Sequence, residues 1–122
     1  MNVSELLNIV NALVPIEYAF EDDYVGITIG SEQSEVNGIV VGHELEKSLL
    51  KYCNDKNIKT VISYHPPSFK KILEDDDTET VIPEIITKEF MDNQINVITL
   101  HTAQDVCAVS YTHLTLPTIG YV

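Results

Sequence analysis

Thr60-Val61-Ile62-Ser63-Tyr64-His65-Pro66-Pro67 is the stretch on which the reading of this chain turns. Its β-branched opening predicts a short strand buried on both faces, the kind a parallel sheet uses. Two consecutive prolines cannot continue a ladder, so the strand ends at His65. A polar, metal-capable side chain is thereby fixed at a strand end.

The same pattern recurs on either side. Upstream, Gly38-Ile39-Val40-Val41 is a second β-branched run, expected to be buried on both faces and followed by His43. Downstream, Ile95 to Leu100 reads as a strand that runs into His101-Thr102-Ala103-Gln104-Asp105. Between them, Leu45, Leu49, Leu50 and Cys53 recur at helical spacing until Asn54-Asp55-Lys56-Asn57 breaks the pattern. Pro83 suits the first turn of a further helix running to about Met91, with Ile85, Ile86 and Phe90 apolar. Residues 74–80 read as a charged, solvated loop.

At the N-terminus, Val3, Leu6, Leu7, Ile9, Val10 and Leu13 mark an amphipathic helix that Pro15 stops. Val25 to Gly30 alternates enough for a short strand, and 31–37 reads as a turn. The order is helix, strand, strand, helix, strand, helix, strand. It predicts an α/β fold with a mostly parallel sheet and flanking helices. In such sheets ligands collect beyond the carboxyl ends of the strands. His43, His65, and His101 with Asp105 all stand at such ends.

Composition narrows the function. The 122 residues suit one domain, and 44% hydrophobic content is enough for a core. Seven Lys plus Arg, all lysine, stand against 19 carboxylates, a net charge of −12. Nucleic-acid binding needs basic groups that release counterions, so that partner is disfavoured. No run of apolar residues is long enough to cross a membrane, and no signal peptide precedes the first helix. Cys53 and Cys107 are too few for a disulfide framework and read as reduced, packed thiols. These features place the expectation in the cytoplasm.

If the strands that end at His65 and at His101 are neighbours, His65, His101 and Asp105 converge on one crevice. Imidazole with carboxylate suits Zn²⁺, Mn²⁺ or Fe²⁺. The competing reading is that these histidines are structural, hydrogen-bonded to backbone.

Several blocks in correct order resemble one family. The strand end Ser63-Tyr64-His65-Pro66, continuing through Phe69-Lys70, resembles the Ser-His-His-Pro segment of the dinuclear-metal-centre hexameric (Nif-three-like) proteins, labelled GTP cyclohydrolase type 2 homologues. His101 to Asp105 resembles their His-Thr-Asn-Leu-Asp motif. Pro15-Ile16-Glu17 and Glu21 to Ile27 resemble their Pro-x-x-x-Ala-x-x-Trp-Asp-Asn-Val-Gly-Leu opening. The resemblance implies the N-terminal half of that fold, a toroidal hexamer, and a metal-dependent hydrolase with two divalent ions per subunit. It matches His65 to the second of the paired histidines and Asp105 to the motif aspartate. His101 becomes a group that orients ligands. Tyr64 stands where the first histidine would be, and a phenol is a poor neutral ligand. His43 stands where the family has an aspartate; it is a compensating ligand or a structural histidine. The family's further histidine and glutamate have no counterpart. The chain is therefore expected to be inactive by itself, with a non-catalytic metal-binding or interaction scaffold as the alternative. No glycine-rich phosphate loop supports nucleotide binding independently.

Every charged residue lies before Val106. Ser110 to Thr118 resembles translated sequencing adapter. The expectation is a family domain over 1–109 and a non-native tail over 110–122, so His113 is not enlisted as a ligand.

Overall fold

The computed structural model describes residues 1–19, 24–75 and 78–105. The 110–122 tail lies outside them.

Helix α1 spans Val3–Leu13, and the Asn2 side chain caps it by accepting from the Glu5 N–H at 2.9 Å. That bond satisfies one of the donors a helix start leaves open. Val3, Leu6 and Val10 are buried, as the i, i+3, i+7 spacing requires. A 3₁₀ turn follows at Ile16–Tyr18.

The main sheet contains β1 (Gly26–Ile29), β2 (Val40–Gly42), β3 (Thr60–Ser63) and β6 (Asn96–Thr99), in the order β1-β6-β3-β2. β3 pairs in parallel with both β2 and β6, while β1 runs antiparallel to β6. The sheet is thus mixed α/β and mostly parallel.

Alternation sends neighbouring residues of β3 and β6 to opposite faces. Val61 and Val97 join Leu50 and Cys53 of α2 (Lys47–Lys56) and Phe90 of α3 (Ile85–Asp92) in one core. Ile98, with Ile62 against it, joins Val3, Leu6 and Val10 of α1 in the other. The sheet is the middle of three layers, and burial on both faces explains why its central strands read as continuous apolar runs.

Three expectations need correction. The stretch 74–80 is not simply a loop: residues 74–75 and 78–80 belong to the antiparallel strands β4 (Phe69–Asp75) and β5 (Thr78–Pro83). Pro83 closes β5 and the helix begins two residues later. The run through Val41 is not buried on both faces, because β2 is an edge strand and Val41 is 76% exposed.

Candidate functional site

The neighbour relation on which convergence depends is present: β3 lies between β2 and β6. Its ladder continues past the regular strands. Tyr64 N–H donates to the Gly42 carbonyl at 3.2 Å and His65 N–H to the His43 carbonyl at 2.8 Å. On the other side, Leu100 N–H donates to Ser63 and His101 N–H to Tyr64, at 3.0 and 2.9 Å. These bonds carry three parallel segments to one level and bring their terminal side chains together.

Tyr64 is at the centre. Its ring stacks on His43 at 5.2 Å between centroids, with 23° between planes. It meets His65 at 4.9 Å and His101 at 5.3 Å, both edge to face. His65 in turn lies 4.5 Å from His43 and 5.5 Å from His101. The Tyr64 hydroxyl donates to the Asp105 carboxylate, 2.6 Å from one oxygen and 2.7 Å from the other. All five residues singled out from the sequence therefore meet in one cluster. His43 and Asp105 are exposed, and the other three are half-buried.

The last segment is bent sharply to do this. His101 has φ +32°, a left-handed backbone for a residue with a Cβ. Such a residue costs about 1–3 kcal/mol and persists only when its surroundings hold it. Residues 101–105 are helical, and a four-residue spacing puts His101 and Asp105 on the same face of that turn.

Two clefts flank the cluster. One of about 390 Å³ is lined by His65, His101, Pro66, Pro67 and Glu44. Another of about 280 Å³ opens beside His43, Tyr64 and Gln104. Glu44 is a carboxylate that the sequence reading passed over. The signal was its place directly after His43, at the end of a parallel strand. A larger cavity of about 630 Å³ lies at the opposite end of the sheet, by Gly30, Lys59 and Asn96. It holds none of the cluster residues, so the chemistry-bearing groups mark the site better than size does.

The donor set can be tested against a dinuclear centre. Among the described residues, no three His, Cys, Asp or Glu side chains are placed to hold a metal ion together. The rings pack face to face and edge to face, as an aromatic cluster does. The Tyr64 hydroxyl sits across both oxygens of Asp105, where a chelated cation would otherwise lie. The described residues therefore do not by themselves fit a two-metal centre.

Comparison with known proteins supplies the frame. The family model for Duf34/NIF3 (NGG1p interacting factor 3) matches residues 1–120. A GTP cyclohydrolase 1 type 2 homolog of Staphylococcus epidermidis is 32% identical over 108 residues, covering 87% of this chain and 28% of that protein. One from Campylobacter jejuni is 25% identical over 121 residues, covering 99% of this chain and 48% of its own length. Among solved structures, Staphylococcus aureus protein SA1388 superposes with a TM-score of 0.72 at 28% identity, over 86% of this chain and 33% of that one. Reduced HcgD from Methanocaldococcus jannaschii superposes at 0.66 with 20% identity, over 86% of this chain and 41% of that one, a likeness of fold. The chain spans less than half the length of these relatives, and it belongs to the Duf34/NIF3 family.

Proposed function

We propose that this chain forms the N-terminal part of a metal-dependent, hydrolase-like member of its family, and that it supplies only part of a metal site. His65 and Asp105 are the donors, with His101 orienting them and His43 or Tyr64 as substitutes. The ions are divalent Zn, Mn or Fe, and the remaining ligands come from sequence the longer relatives have. The chain alone is inactive, assembles with copies of itself in the longer protein as a hexamer, and works in the cytoplasm. The observation that supports this is the meeting of His43, Tyr64, His65, His101 and Asp105 beyond the carboxyl ends of three adjacent parallel segments. That is where α/β sheets bind ligands.

A second reading has its own support. Tyr64 occupies the carboxylate of Asp105, and among the described residues no three His, Cys, Asp or Glu side chains are placed to hold a metal ion together. A non-catalytic scaffold that has exchanged a metal contact for a phenol–carboxylate bond fits this arrangement.

Metal analysis separates the two. After equilibration with Zn²⁺ or Mn²⁺, the chain should retain well under two equivalents. Tyr64→His, which frees Asp105 and adds an imidazole, should raise that content. Unchanged content in Tyr64→His would support the scaffold. Purified chain should show no chelator-sensitive opening of the GTP ring. Robust activity that a chelator removes would overturn the claim that it is inactive alone.

A further inference from the structure

Three buried hydroxyls lie in line behind His65. Ser63 is 1% exposed, Thr99 is fully buried and Thr28 is 8% exposed. Ser63 Oγ donates to the His65 carbonyl at 2.9 Å. Thr99 Oγ1 lies 3.3 Å from Ser63 Oγ, and Thr28 Oγ1 lies 2.9 Å from Thr99 Oγ1.

Counting protons gives the line a direction, since each hydroxyl carries one. The Ser63 proton is engaged by the His65 carbonyl, so in the Ser63–Thr99 pair Thr99 donates. The Thr99 proton is then engaged, so Thr28 donates to Thr99. The other acceptor near Thr28 is the Val97 carbonyl, at a longer 3.4 Å. Bonds aligned in this way polarise one another in a low-dielectric interior.

The fold is built to place the first member. β1 carries a register shift between Ile27 and Ile29, leaving Thr28 without a ladder partner. A bulge of this kind re-aims a side chain, and bulges are over-represented beside functional sites. The Tyr24 hydroxyl donates to the Thr28 carbonyl at 2.8 Å and pins the bulged residue in place. At the far end, the accepting carbonyl belongs to the residue just before Pro66, where the chain leaves the sheet.

We infer that Thr28, Thr99 and Ser63 form a one-way hydroxyl relay that fixes the His65 carbonyl, and that Thr99 is the positioning residue for the His65 imidazole. The relay sets the direction in which His65 leaves the strand end. It acts through the backbone and touches no ligand. It stands whether or not the cluster holds a metal.

The test compares two variants of the whole chain by NMR at fixed pH without added metal. Thr99→Val keeps the volume and removes the hydroxyl. Thr99→Ser keeps the hydroxyl and removes a methyl. In the wild type, the Thr99 and Ser63 hydroxyl protons should exchange slowly with water. Thr99→Val should shift the His65 ring resonances more than those of any other imidazole, whereas Thr99→Ser should leave them at their wild-type positions. Equal effects of the two variants, or no shift in either, would overturn the inference. Should Thr99→Val fail to fold, Ser63→Ala removes the final donor at the cost of one oxygen. It should move the same His65 resonances, and an unmoved ring there would be equally decisive against the relay.

Discussion

Thr60 is fully buried in β3, and its Oγ1 has no hydrogen-bond partner among the described residues. A buried polar atom left in that state carries its full desolvation penalty. Thr60→Val replaces the hydroxyl by a methyl of similar size and should stabilise the chain by about 1 kcal/mol in urea unfolding. A loss of stability would mean that the hydroxyl has a partner after all. The thiol of Cys53 is a second buried group with a predictable response. Burial pushes it above its ordinary value of 9.0, against a smaller opposing pull from the Lys59 charge. The folded state therefore prefers the protonated thiol more strongly than the unfolded state does. This contribution is fully present below the unfolded value and is lost as pH rises toward the folded one. As pH rises through 9.0 and above, the wild type should lose stability faster than Cys53→Ala. Parallel curves of urea midpoint against pH would remove the thiol from the account. The same residue-by-residue reading explains what the sequence revealed of the site. His65, His101 and Asp105 were legible because strand ends and prolines announce themselves locally. The Tyr64–Asp105 bond and the Thr28–Thr99 contact were not, since they join residues 41 and 71 positions apart.

Among the elements, α1 was legible to its last residue because apolar spacing and the following proline agree. The hairpin was not. Its strands expose Leu73 and Val81 by 77% and 57%, so no buried face imposes a hydrophobic period on them. The acidic run through residues 74–77 then read as loop. The end of β1 shows how one backbone position can fix an element's exit. Gly30 has φ +100°, and a Cβ there would lie 2.0 Å from Asn96 Oδ1, which also accepts from the Ser31 N–H. Gly30→Ala meets both the backbone strain and the collision, and should cost about 2 kcal/mol or more. Only the collision involves Asn96. Asn96→Ala should therefore absorb part of the loss, giving a double variant less destabilised than the sum of the singles. Strict additivity in thermal unfolding would show that Asn96 is not what Gly30 accommodates.

At the scale of the molecule, the layers differ in how firmly they are held. Val61, Val97 and Ile98 are fully buried between helices on both faces of the sheet, whereas the β4–β5 hairpin shows much of its apolar surface to water. A two-stranded ribbon is marginal by itself, so the hairpin should open without the rest of the chain. Hydrogen exchange reads this directly, because core amides exchange only through global unfolding and weakly packed elements through smaller openings. The amides of Val61 and Val97 should report the full stability. Those of Lys71 and Val81, across the hairpin, should exchange with a free energy lower by at least about 2 kcal/mol and with a weaker denaturant dependence. The placement of the site follows from this gradient. The His65 and His101 amides are bonded to the ends of β2 and β3, so their protection should follow the core and not the hairpin. If the His65 and His101 amides exchange as fast as the hairpin, the cluster is not built on the rigid part of the sheet. The geometry that brings five side chains together would then be one conformation among several.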